Sequence, residues 1–149
     1  MQKEALITIR GGQLSDGTKD SLELMTDGFF EKLNDGYRIT YNESEMTGML
    51  GVVTEIQTDG KYVIMNRKGD FTSQMIFESG TRHLCRYNTP AGYMNMAVTT
   101  SEIKNTMTPK GGSIQLNYTL EIDNKYVSSN NFYIKVKEKV NGNACKQDQ

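Results

Sequence analysis

The sequence predicts an all-β domain, an antiparallel up-and-down β-barrel of eight to ten strands, on three observations. Apolar residues recur with a period of two, and no stretch holds a helical period for three turns. Tight-turn residues separate these runs at roughly ten-residue spacing, which is the signature of a meander. Helical crossovers are missing between runs, which excludes a parallel sheet. Nine or ten runs in one domain must hide their edges, and closing the sheet does so.

Taken in order, Met1-Gln2-Lys3-Glu4 leads straight into a short alternating run, with no leader-like or membrane-spanning segment. Further runs carry Tyr37, Ile39 and Tyr41, then Val52, Thr54 and Ile56, then Phe71, Ser73, Met75 and Phe77, then Met94, Met96 and Val98. Ile114, Leu116, Tyr118, Leu120 and Ile122 alternate with Gln115, Asn117, Thr119 and Glu121, the clearest half-buried strand of the chain. The last run turns Phe132, Ile134 and Val136 inward and Tyr133, Lys135 and Lys137 outward. Residues 93–107 read as one long bent strand or as two, and a short helical piece is confined to about 101–105. Residues 1–140 form one domain, and 141–149 lack pattern and read as a polar tail.

Asp35-Gly36 and Asp59-Gly60 suit two-residue turns, whose central residues need positive φ. Lys68-Gly69-Asp70, Ser79-Gly80-Thr81 and Asp123-Asn124-Lys125 read as three-residue loops. Turn length decides which side chains share a face. The expected register sets Val52 against Arg67, Ile56 against Val63, Arg67 against Phe71, Met75 against Cys85 and Ser73 against Tyr87. Glu43, Arg67, Ser73, His83 and Tyr87 then point inward among Met, Phe, Ile and Val. A charge taken out of water must be paired, so Arg67 and Glu43 are expected to meet each other or a ligand. A register-fixing salt bridge near a barrel mouth satisfies the same pattern.

Composition narrows the chemistry. With 149 residues, 17 Lys+Arg and 18 Asp+Glu, the net charge of −1 excludes a broad grip on nucleic acid or anionic membrane. One His and two Cys cannot build an ordinary structural zinc site, so no metal is expected. Both thiols are expected to be reduced, with Cys85 a packed structural cysteine and no bond to Cys145. There is no G-x-S-x-G elbow, no phosphate loop and no second inward acid beside Glu43, so no enzyme signature emerges and no cofactor is implied.

Arg67-Lys68-Gly69, Ser73-Gln74-Met75-Ile76-Phe77, Arg82-His83 and Tyr87-Asn88-Thr89-Pro90 with Gly92 carry a family likeness. With Tyr41-Asn42-Glu43-Ser44, Thr47-Gly48 and Gly112-Ser113-Ile114-Gln115-Leu116-Asn117-Tyr118, the chain resembles the YwiB-like family of small bacterial proteins, a domain of unknown function. The resemblance spans about residues 4–138. It implies a calycin-like, lipocalin-type barrel in the bacterial cytoplasm and supplies no catalytic residue or cofactor. The leading expectation is non-enzymatic binding of a small amphipathic ligand in the barrel. Glu43, Arg67 and Tyr87 would orient its head, and Phe71, Met75, Phe77, Met94 and Met96 would enclose its body. The alternatives are a small enzyme using Glu43 or His83 as acid/base beside Arg67, and a packed barrel that acts through its surface, as a monomer or homodimer.

Overall fold

Ten strands follow one another around a closed barrel, each antiparallel to its neighbours in sequence. The computed structural model describes residues 2–139. They comprise β1 (Gln2–Ser15), β2 (Thr18–Lys32), β3 (Tyr37–Asn42), a 3₁₀ turn (Glu45–Thr47), β4 (Val53–Thr58), β5 (Tyr62–Lys68), β6 (Thr72–Glu78), β7 (Arg82–Thr89), β8 (Gly92–Asn105), β9 (Gly111–Ile122) and β10 (Lys125–Glu138). β1 closes the barrel on β10 from Ala5 opposite Glu138 to Leu14 opposite Ser129. Alternation therefore sends one side of every strand into a single shared interior.

That interior is packed. Ile7, Ile39, Ile56, Phe77, Ile114 and Leu116 are fully buried, and each contributes about 1.5–3 kcal/mol by leaving water. Lys135, Lys137 and Lys139 face solvent, as the pattern requires.

Several local expectations are corrected. Residues 101–105 are not helical: β8 runs unbroken in direction to Asn105, with a bulge between Thr100 and Glu102 bending it. Asp35-Gly36 and Asp59-Gly60 close wider loops, because Lys32 pairs with Tyr37 and Thr58 with Val63. At Asp59 the side chain accepts hydrogen bonds from the Lys61 and Tyr62 amides, which holds the wider turn. Gly36 is needed for a different reason than turn geometry: a Cβ there would collide with the Thr58 carbonyl. Asp16-Gly17 forms a two-residue turn with both residues at positive φ, and so does Asp123-Asn124, where a three-residue loop was expected. The long β1–β2 hairpin was not apparent as a pair of runs.

Two expected registers slide by two residues, one through the wider Asp59 turn and the other through a connection between Arg67 and Ser73 longer than the three-residue loop expected. Arg67 faces Thr54, not Val52, and Ser73, not Phe71. Ser73 opposite Tyr87 is as expected, but β6 and β7 pair only there and at Thr72 opposite Asn88. An even slip leaves every side chain on its face. Replacing Phe77, which is fully buried, by alanine should lower stability by about 3–5 kcal/mol in urea denaturation. A loss below about 1 kcal/mol would show that the centre is not tightly packed.

Candidate functional site

One row of cross-strand partners runs around most of the barrel. Gly28 faces Tyr41, Tyr41 faces Thr54, Thr54 faces Arg67, Arg67 faces Ser73, Ser73 faces Tyr87 and Tyr87 faces Met94. Partners directly opposed project to the same side, so these inward side chains form a polar belt. The next row, Phe30, Ile39, Ile56, Met65 and Met75, is apolar. The belt therefore marks one end of the apolar core.

Glu43 lies just past the end of β3 and turns inward onto this belt. Its amide donates to the Val52 carbonyl at 2.8 Å. Ser44 then caps the 3₁₀ turn by accepting from the Met46 amide, and Gly48 ends the turn at φ +75°. Held in this way, the Glu43 carboxylate accepts a hydrogen bond from the Thr54 hydroxyl at 2.5 Å. Arg67 Nε stands 3.9 Å from the same carboxylate oxygen, with the two side chains 17% and 2% exposed. This distance is an ion pair and too long for a hydrogen bond. Arg67 Nε and the Ser73 hydroxyl consequently have no hydrogen-bond partner, although both atoms are buried.

Aromatic groups frame the pair. Tyr87 stacks on Phe71 with ring centroids 6.1 Å apart, and Tyr118 meets Phe77 edge-on at 4.9 Å. Burial, then the charge of Glu43, pushes the Tyr41 phenol well above the ordinary tyrosine range, with Arg67 opposing the shift. Burial likewise raises Tyr118, again opposed by Arg67.

The five residues expected at a site are only partly brought together. Glu43, Arg67, Ser73 and Tyr87 share the belt or its edge. His83 lies four residues from Tyr87 along β7, roughly 13 Å away at strand rise. It bonds Glu78 of β6 at 2.9 Å, across the stretch where the β6–β7 ladder has ended. The fold thus separates His83 from Arg67. Burial raises the Cys85 thiol, which disfavours the thiolate a nucleophile would need.

Open space lies beside the belt. A hollow of about 420 Å³ is lined by Tyr41, Glu43 and Glu45 together with Leu24, Met25, Met46 and Leu50, among others. It exists because β2 pairs with β3 only from Gly28 onward, while the chain after Asn42 turns away into the capped loop. Leu24, Met25 and Thr26 pair with β1 on one side and are left without a partner strand on the β3 side. Sequence reasoning placed Tyr41 inward but missed its part in the site, and it missed Thr54, Met25, Met46 and Leu50. Alternation could have supplied Thr54; nothing in the pattern brings the 44–50 loop against β2. A larger hollow of about 780 Å³, between Arg10, Glu23, Asn117 and Asn131, is lined by none of the five expected residues.

A closed antiparallel barrel whose packed core ends in a buried, incompletely bonded polar belt is the class of protein these features define. The chain belongs to the family described as Domain of unknown function (DUF1934), whose model matches residues 7–134. It is similar to the crystal structure of the ywiB protein from Bacillus subtilis, with 17% identity and a TM-score of 0.84 over 93% of this chain and 94% of that one. That likeness shows the fold, and the calycin-like description is consistent with it. No curated protein matches the chain. Among the described residues, no helix is long and apolar enough to cross a membrane.

The raised Tyr41 phenol has a consequence for alkaline stability. In the unfolded chain it ionises near pH ~10, whereas the folded chain keeps its proton to higher pH. Its contribution is complete below about pH 10 and is lost as pH rises through the folded value. Tyr41→Phe should reduce the decline in urea stability between about pH 9 and 11; an unchanged decline would contradict this placement of the phenol.

Proposed function

We propose that this protein binds a small amphipathic molecule at the rim of its barrel, with the polar head at the Glu43 end of the belt. The observation that carries this reading is the 420 Å³ hollow, whose wall sets a buried carboxylate beside exposed Met25, Met46 and Leu50. Its volume falls in the range of about 300–1,000 Å³ typical of small-molecule sites. The apolar body sits on Leu24, Met25, Met46 and Leu50. It does not enter among Met75, Phe77 and Met96, because those side chains are buried in the core and line none of the hollow. Binding is non-enzymatic in this reading, since no nucleophile or acid–base pair accompanies Glu43.

The cytoplasmic setting expected from the sequence belongs to the same proposal. The outer face carries Lys135, Lys137, Arg86 and Gln74, all exposed, around an apolar interior. A lipid-embedded barrel has the reverse arrangement.

Native and denaturing mass spectra of gently purified protein test the reading. An added mass should be present in the native spectrum and absent on denaturation. In Leu50→Asp, at an exposed position, its occupancy should fall at least tenfold. A native spectrum free of added mass, or an adduct indifferent to Leu50→Asp, would count against a ligand in this hollow.

A further inference from the structure

Barrel closure leaves one stretch of strand edge uncovered. We infer that a second copy of this chain pairs with it, β2 against β2, antiparallel about a two-fold axis at Ser21. β1 pairs with β2 without a register shift, from Ser15 opposite Thr18 to Gln2 opposite Glu31. β3 pairs only with residues 28–32 of β2. Residues 18–27 therefore have a strand on one side alone. Among the described residues, no backbone group from a loop or turn bonds to their free side.

The turn decides which backbone groups face that side. A two-residue hairpin closes on a hydrogen-bonded pair, here Ser15 with Thr18, and bonded pairs recur at every second residue. Thr18, Asp20, Leu22, Leu24 and Thr26 thus bond to β1. Lys19, Ser21, Glu23, Met25 and Asp27 direct their N–H and C=O groups away from it. The same phase reaches Leu33, whose amide donates to the Gly36 carbonyl on the β3 side at 2.7 Å. Such a row of unpaired backbone groups is a template for another strand.

Natural edges are shielded by proline, by a bulge, by a covering segment or by charge. This edge has no proline and no bulge, and residues 19–23 border the open outer-face hollow of about 780 Å³. Its charges are of both signs, and their spacing selects the partner. Directly opposed residues share a face, so a two-fold axis normal to the sheet passes through a residue position. With the axis at Ser21, Lys19 faces the partner's Glu23, and Glu23 faces the partner's Lys19. Moving the axis to Asp20 or Glu23 sets an acid against its own copy. Moving it to Leu22 or Leu24 brings no opposite charges together. Glu23 meets Arg10 within the chain at 3.1 Å, but the two side chains are 63% and 61% exposed, so the carboxylate is open to a second cation. The centre of the pairing lies clear of the rim hollow, which β2 lines with Leu24, Met25 and Thr26, and does not depend on a ligand there.

Sedimentation equilibrium of the full chain, over about a hundredfold range of concentration, tests the pairing. At the upper end the mass should approach that of two chains. Ser21→Pro removes an N–H that points away from β1, so the β1–β2 ladder survives while the centre of the new pairing is lost. It should weaken self-association by about tenfold or more. Lys19→Glu and Glu23→Lys should each weaken it as well, because each sets like charges opposite one another. An equimolar mixture of those two variants restores opposite charges at both positions and should associate as the unaltered chain does. A chain that stays monomeric throughout, or a dimer indifferent to Ser21→Pro, would overturn the edge pairing. Failure of the mixed variants to associate would overturn the register about Ser21.

Discussion

The ion pair of Glu43 with Arg67 is the interaction on which the organisation of this barrel's rim depends. Barrel closure forces one face of every strand into a common interior. Once alternation sends Arg67 inward from β5, its charge must be answered there, and Glu43 answers it from beyond β3. That requirement fixes the course of the chain after Asn42: the Glu43 amide is tied to Val52, Ser44 caps the following turn, and Gly48 releases it. By taking this path, the chain leaves the β3 side of β2 unpaired before Gly28, and the hollow opens along that free side.

The polar belt and the apolar row beneath it divide the barrel into two regimes. Below, large apolar side chains are buried against one another, and Phe77, Met75 and Met96 line none of the rim hollow. Above, the polar groups are close but imperfectly bonded, with Arg67 Nε and the Ser73 hydroxyl unsatisfied. Buried polar atoms without partners are rare in folded proteins, and two of them adjoin each other in this belt, where Arg67 faces Ser73. Folding is secured by the lower regime, and the upper one is where recognition chemistry can be placed.

How far this was legible in the sequence follows from the period of two. Arg67 was expected opposite Val52 and Phe71 and is found opposite Thr54 and Ser73; both slips are even, so its inward direction survived them. Glu43, Ser73 and Tyr87 were legible for the same reason. Turn lengths were not, because an Asp-Gly dipeptide favours a two-residue turn without imposing it: Asp59 instead folds its side chain over a wider loop. The β1–β2 hairpin escaped notice since β2 carries Thr26 and Gly28 at inward positions, which interrupt its apolar alternation. His83 was rightly seen as lying on the inward-facing side of β7, yet the early end of the β6–β7 ladder directs it to Glu78. The hollow itself had no sequence signature, being made by a loop that passes beside a strand distant in the chain.

A double-mutant cycle on Glu43→Gln and Arg67→Met, read by urea denaturation, tests the coupling at the centre of this account. Breaking one partner of a buried pair costs about 3–5 kcal/mol, somewhat less here because Arg67 retains 17% exposure. The double variant should lose at least about 1 kcal/mol less than the two single variants added together. Strictly additive losses would contradict the claim that the two charges answer each other, and with it the explanation of why the chain turns at Glu43.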